Sequence, residues 1–174
     1  QFIARTHMQA QRLTALLQDI SILNRMDYAA NVLTMERVDV SQLFADIVQE
    51  TALAFESREM TLTNSLPQGI IVRGNPSLLY SIFRNLIDNA LNYAGQGSIV
   101  KVYAAEETDS WHFVFADNGV GIPPEHLPRI FERFYRIDKG RSRSLGGTGL
   151  GLAIVKNAVI LHGGTITAKP TEGG

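Results

Sequence analysis

Asn85-Leu86-Ile87-Asp88-Asn89-Ala90-Leu91-Asn92-Tyr93 decides how this chain is read, because it lays two patterns along one helix. Leu79, Ile82, Phe83, Leu86, Ile87 and Ala90 recur at the spacing of a buried helical face. Asn85 and Asn89 stand at i and i+4, with Asn92 and Tyr93 one turn further, so these side chains share a second face. Inside a helix, asparagine competes with backbone hydrogen bonds. A row of such amides therefore reads either as a solvated polar face or as the wall of a polar cavity. The second reading offers oxygen ligands to a hard cation such as Mg²⁺. Asn75-Pro76 opens the helix, with Asn75 as cap and Pro76 at its first position, and Gly95 ends it.

Downstream, Ile99 to Ala105 and Trp111 to Ala116 alternate as two strands of a hairpin around the polar turn Glu106 to Ser110. Asp117-Asn118-Gly119-Val120-Gly121-Ile122 follows, a carboxylate at a strand end that can accept from an exocyclic amine, then two glycines that let backbone approach a flat ligand. Taken alone the same residues also make an ordinary turn. From Asp117 to about Gly147 no period is sustained, and a loop that long inside a compact domain is functional or mobile. Arg133, Arg136, Lys139, Arg141 and Arg143 make it basic against Glu132 and Asp138, as in a cationic lid or a solvated loop. Gly146-Gly147-Thr148-Gly149-Leu150-Gly151-Leu152 opens a last helix, about Leu150 to Leu161, whose unpaired N–H groups and dipole favour phosphate. It has no Gly-Lys-Ser/Thr ending and no G-x-G-x-x-G, so it is read as a phosphate-facing loop of another kind rather than a hinge. His162-Gly163-Gly164 stops that helix, with His162 placed where a cationic side chain suits the dipole, and Thr165 to Ala168 begins a strand.

Upstream, Leu13, Leu16, Ile20 and Leu23 form a seam along a helix from about Phe2 to Met26 that needs a partner to bury it. A polar link runs from Asp27 to Arg37, and Ser41 caps a second helix carrying Leu43, Phe44, Ile47, Val48 and Leu53 to about Ser57. Met60 to Thr63 and Ile70 to Arg73 read as short strands about the turn Leu66-Pro67-Gln68-Gly69.

Composition bounds these readings. The 174 residues, 45% of them apolar, fit one domain with a short appendage and exclude a large multidomain enzyme. Sixteen Lys and Arg against seventeen Asp and Glu give a charge of −1, with no bulk pull toward nucleic acid or anionic lipid, so phosphate binding must be local. The absence of cysteine excludes disulfides, thiolate metal sites and Cys nucleophiles. No stretch approaches the roughly 18 apolar residues of a membrane span. The chain opens inside a helical pattern at Gln1 and closes on Glu172-Gly173-Gly174 after a strand-like run, and the expectation is a piece of a longer polypeptide.

These motifs reach a family. Asn85 to Tyr93 resembles the N box of sensor histidine kinases, Asp117 to Ile122 their G1 box, Phe131 to Arg136 their F box and Gly147 to Leu152 their G2 box, in the family's order. Residues 1–27 resemble the second helix of the dimerisation hairpin, 28–37 a linker, and 38–174 the catalytic ATP-binding domain of the GHKL superfamily without its last strand. The resemblance implies an α+β fold, a two-layer α/β sandwich of the GHKL or Bergerat kind preceded by one long bundle helix, with three helices on one face of a mixed sheet. It implies ATP and Mg²⁺ as ligands. Asn89 matches the metal ligand, Asn85 a polar contact to phosphates or metal, and Tyr93 a nucleotide contact. Asp117 matches the reader of the adenine amino group, Gly119 and Gly121 the backbone over the base, and Arg136 the arginine that reaches the γ-phosphate. Gly147, Gly149 and Gly151 match the phosphate loop, and Asn92, Ile122, Thr148 and Leu150 complete the nucleotide-contacting set. Phe131 and Tyr135 are assigned to packing of the lid.

The resemblance further implies a response regulator as partner, a homodimer through the hairpin helices, no nucleic acid, and a cytoplasmic domain whose parent is anchored in the bacterial inner membrane by segments outside this chain. Two departures qualify it. Asn92 stands where many family members carry Lys, so a neutralising charge is expected from Lys139, Arg141 or Arg143. No phosphoacceptor box is present, since His7 is followed by Met8-Gln9-Ala10-Gln11 with neither acid nor proline, and this chain alone is expected not to autophosphorylate. The readings weighed against a kinase domain are a scaffold with a degenerate pocket and a hydrolysing GHKL ATPase. Against the latter, Arg84 and Asn85 occupy the region of the glutamate base, and Asp88 is placed on another face.

Overall fold

The computed structural model describes residues 2–28, 33–137 and 147–170. In chain order the elements are α1 (Phe2–Tyr28), β1 (Glu36–Asp39), α2 (Val40–Ser57), β2 (Thr61–Ser65), β3 (Ile71–Gly74), α3 (Pro76–Tyr93), β4 (Ile99–Glu106), β5 (Trp111–Asp117) and α4 (Gly151–Leu161). The N-terminus of α3 forms as its sequence dictates. The Asn75 side chain accepts from Leu78 N–H at 3.1 Å and Pro76 takes the first turn, where a missing N–H costs nothing.

β2, β4 and β5 make a mixed three-stranded sheet, β2 parallel and β5 antiparallel to the central β4. Alternation along β4 buries Val100 and Val102 on one face and leaves Lys101 and Tyr103 on the other. α2 and α3 cover the buried face. Phe44 of α2 and Phe83 of α3 meet edge to face at 5.9 Å, and Phe83 meets Phe113 of β5 at 5.3 Å. Ile47, Phe55, Ile87 and Leu91 complete this core. A second core lies along the other side of α3, where Leu78, Leu79 and Ile82 pack with Leu150, Ile154, Val155 and Ala158 of the α4 region and with Leu23 and Met26 of α1. α3 thus belongs to both cores, and α4 packs on α3 and on α1.

Several expectations are corrected. The link expected to run to Arg37 ends earlier, because Glu36–Asp39 pairs antiparallel with β3 in a separate two-stranded sheet, Val38 opposite Val72. Four residues are too few to show alternation without their partner. The cap of α2 is Asp39, whose carboxylate accepts from Gln42 N–H at 3.1 Å. The Ser41 hydroxyl is taken elsewhere, donating to Pro67 C=O and accepting from Ile70 N–H, both at 2.9 Å. The seam on α1 divides: Leu13 is 58% exposed while Leu23 is 3% exposed, because α4 covers only the C-terminal half. Thr165 to Ala168 forms no strand, since no ladder partner takes its backbone hydrogen bonds among the described residues. Arg58, at the C-terminal end of α2, reaches the C-terminal end of α3, where it donates to Leu91 C=O and, at 3.3 Å from each terminal nitrogen, to Asn92 Oδ1.

Candidate functional site: a cleft beside α3

A cleft of about 290 Å³ opens between α3, the loop after β5 and the start of α4. From α3 it is lined by Asn85, Asp88, Asn89, Asn92 and Tyr93, which fall on one face at i, i+3, i+4, i+7 and i+8. Opposite stand Gly147, Thr148 and Gly149, followed by Gly151 and Leu152 at the first turn of α4. Val120, Ile122, Ile130 and Ile137 supply apolar wall, and Tyr135 and Arg136 complete the rim.

The glycine run is shaped by close approach. Gly149 sits at φ +76°, and a Cβ there would lie 3.1 Å from Phe134 Cα and 3.2 Å from Arg136 Nε. Phe134 N–H donates to Gly149 C=O at 2.8 Å, stitching the F-box segment to this loop. A Cβ at Gly151 would meet Asn85 Oδ1 at 2.8 Å, so the α4 terminus lies directly against the polar face of α3. Leu150 caps α4 without a side-chain bond, and its own N–H donates to Thr148 Oγ1 at 3.2 Å. First-turn N–H groups and the helix dipole therefore meet the cleft, a setting that favours anions.

The amides are oriented by their neighbours. Asn85 Nδ2 donates to Ser81 C=O at 2.7 Å, which leaves Oδ1 as the group it offers. Asp88 lines the cleft, contrary to its expected placement on another face, but both its oxygens accept from Arg84 Nε at 3.0 and 3.1 Å. The Tyr135 hydroxyl bonds His126 Nδ1 at 2.6 Å, and the Arg129 guanidinium lies 4.3 Å over its ring. On the far side of the loop, the Thr148 hydroxyl donates to Asp19 of α1 at 2.7 Å. Burial pushes the Asp19 carboxyl above its ordinary value, partly offset by that hydrogen bond, so negative charge beside the loop is restrained. Arg133 reaches Asp27 of α1 at 3.0 Å to each oxygen.

This donor set suits a nucleotide polyphosphate: apolar wall for a base, backbone N–H groups and Arg136 for phosphates, and side-chain oxygens along α3. Among the described residues no group of three or more His, Cys, Asp or Glu could cage a metal. Mg²⁺ suits such a site, because it keeps waters and shares few protein ligands with substrate phosphates.

A family model described as histidine kinase-, DNA gyrase B- and HSP90-like ATPase matches residues 74–174, the stretch that builds this cleft. The chain belongs to that ATPase family. It is 34% identical over 99% of its length to the Sensor-like histidine kinase SenX3 of Mycobacterium tuberculosis, of which it spans 42%. Among solved structures, the mycobacterial sensor histidine kinase MprB matches with a TM-score of 0.63 at 30% identity, covering 74% of this chain and 80% of that one. Full-length ShkA matches the fold with a TM-score of 0.77 at 23% identity, over 93% of this chain and 34% of that one. The chain is the ATP-binding catalytic domain of a two-component sensor histidine kinase.

Of the kinase-domain residues singled out from sequence, Asn85, Asn89, Asn92, Tyr93, Gly121, Ile122, Arg136, Gly147, Thr148, Gly149 and Gly151 all line the cleft. Leu150 does not, being fully buried in the second core. Asp117 and Gly119 lie beside the lining: the Asp117 carboxylate accepts from Gly119 N–H at 2.9 Å, and Gly119 lies against Ala94. Lys139, Arg141 and Arg143 lie outside the described residues. Tyr135, assigned to packing, is part of the wall. Ile130 and Ile137 were missed because they stand in a stretch without period, whereas Asp88 was readable from its i+3 spacing to Asn85. His162 sits at the C-terminal end of α4 as expected, its Nδ1 meeting Ala158 C=O of the last turn at 2.6 Å, while its Nε2 accepts from Asn75 N–H at 3.0 Å and ties that end to the start of α3.

Proposed function

We propose that this domain serves a longer sensor kinase by holding Mg-ATP so that its γ-phosphoryl group passes to a histidine outside the present chain, and from there to a response-regulator aspartate. One observation carries the reading: the amide face of α3 stands across the cleft from the glycine loop, the first turn of α4 and Arg136. Bound Mg²⁺ would neutralise phosphate charge, and Asn89 is the residue assigned to hold it. Asn85 offers its Oδ1 to the same group, and Arg136 takes the terminal phosphate. Gly147, Thr148, Gly149 and Gly151 bring backbone N–H groups to the phosphates. Gly121 and Ile122 close over the base, with Asp117 as reader of its amino group. No side chain here forms a covalent bond to phosphorus, so the contribution is positioning and charge. Asp88 is a poor base for hydrolysis, because Arg84 engages both of its oxygens.

The exposed Leu13, Leu17 and Ile20 of α1 support pairing with a second copy through the hairpin helices of the whole protein. None of the helices in the described residues is long and apolar enough to cross a membrane. The proposed inner-membrane anchor therefore belongs to other segments. The test is calorimetric titration with a non-hydrolysable ATP analogue with and without Mg²⁺, followed by incubation with labelled ATP and a separate protein bearing an acceptor-histidine helix. Mg²⁺-enhanced binding, loss of that enhancement in Asn89→Ala, and phosphohistidine on the acceptor are expected. Binding indifferent to Mg²⁺ and to Asn89→Ala would leave a scaffold.

A further inference from the structure

Arg58 is the one guanidinium that reaches into the amide row of the cleft from another helix end, and its charge meets no carboxylate among the described residues. Two features hold it there. The last carbonyls of α3 lack intrahelical partners and carry the negative end of the helix dipole, and Arg58 donates to one of them, Leu91 C=O. Its terminal nitrogens also reach Asn92 Oδ1 at 3.3 Å each. Arginine has only donors, so the Asn92 atom it meets must be the carbonyl oxygen. That settles which way the amide is turned. With its oxygen held, Asn92, which lines the cleft, has only its two N–H donors left to present there.

We propose that Arg58 is a positioning residue for nucleotide binding: it locks Asn92 as a pure donor toward the phosphates and polarises that amide with its own charge. An amide whose oxygen is bound by a cation donates more strongly, because hydrogen bonds in a chain reinforce one another at low dielectric. The pair thereby presents positive potential to the cleft through a neutral side chain, and the charge rests on a residue 34 positions away in sequence. This inference rests on the nucleotide reading of the cleft. The backbone tie from Gly97 N–H to Arg58 C=O at 3.2 Å is independent of the side chain and keeps the two helix ends together when the guanidinium is removed.

The experiment measures equilibrium affinity for ADP and for adenosine in the parent chain, Arg58→Ala, Asn92→Ala and the double variant, with thermal unfolding of each. Arg58→Ala is expected to weaken ADP binding about tenfold while adenosine binding changes less than about twofold, as for a lost charge-assisted donor. The double variant should be no weaker than Asn92→Ala alone, since both act through one contact. Asn92→Lys should bind ADP poorly beside Arg58, from like-charge repulsion, and recover when combined with Arg58→Ala. If Arg58→Ala proves unfolded, Arg58→Met keeps the aliphatic stem and makes the same comparison. A lower melting temperature with unchanged ADP affinity, or losses that multiply in the double variant, would reduce Arg58 to a helix cap and overturn the proposal. A parent chain that binds no ADP would sink the nucleotide reading and this inference together, whereas parent binding that Arg58→Ala leaves intact sinks the inference alone.

Discussion

Gly119→Ala should damage both folding and nucleotide binding, and the structure gives the size of the effect. Gly119 needs room rather than an unusual φ. A Cβ built there would lie 2.3 Å from Ala94 C=O oxygen, 2.5 Å from its Cα and 2.7 Å from its carbonyl carbon. Ala94 cannot withdraw, because it is the buried last link of α3 and its N–H donates to Ala90 C=O at 2.9 Å. Ordinary contact at about 3.4 Å requires the loop to retreat by roughly 1 Å. That retreat strains two bonds that seat the loop, Val120 N–H to Ala94 C=O at 3.0 Å and Gly119 N–H to Asp117 at 2.9 Å. Overpacking of this kind costs about 1–3 kcal/mol and a lost hydrogen bond about 1 kcal/mol more. For a chain of this size, about 3 kcal/mol corresponds to a fall of roughly 6–12 °C in Tm. Val120, Gly121 and Ile122 move with the loop, so affinity for an ATP analogue should fall as well. Gly97→Ala is the control: Gly97 sits at φ +76° with nothing within 4 Å, so only left-handed strain of about 1–2 kcal/mol applies, with no change in affinity. Differential scanning calorimetry and calorimetric titration read both quantities. A Gly119→Ala chain that melts within about 1 °C of the parent and binds as tightly would refute the argument from space.

Two further outcomes follow from named contacts. Burial holds the folded-state pKa of Asp19 above its unfolded value, so its contribution to stability is fully present at low pH and is lost as pH rises through the folded pKa. The stability difference between the parent and Asp19→Asn should therefore shift toward the parent as pH falls through the acid range; urea midpoints with a pH-independent difference would contradict this. His162→Ala should lower stability by about 1–3 kcal/mol, because Asn75 N–H loses its acceptor at the mouth of α3. A guanidinium midpoint unchanged from the parent would mean that water replaces the ring at no cost.

What could be read from the sequence was local. α3 was legible because a cap, a proline and two periodicities fall within twenty residues, and its amide face followed from spacing alone. Asp88, expected on another face, shares this one, because i+3 from Asn85 falls on the same side of a helix. Ser41 is the cap expected for α2 and Asp39 the one observed, since both residue types can cap and only the fold shows that Pro67 and Ile70 engage the serine. β1 was hidden because a four-residue strand is defined by its partner. Arg58 gave no local sign of its role, because its contact with Asn92 exists only once α2 and α3 end side by side. The division of the helices between two cores was likewise a matter of packing: Leu79 and Ile87 look alike in sequence yet face different clusters.

The two polar contacts of α1 carry a consequence for the shape of the cleft mouth. Asp19 holds the glycine loop through Thr148, and Asp27 holds the turn carrying Arg133. Eight residues separate these carboxylates, about 12 Å along a helix axis. A helix neither stretches nor shortens by amounts comparable to a hydrogen bond. The separation between the two segments that bound the mouth is thus gauged by the rise of α1, as by a ruler laid across it. Sliding α1 by one turn, about 5.4 Å, would release both ends at once.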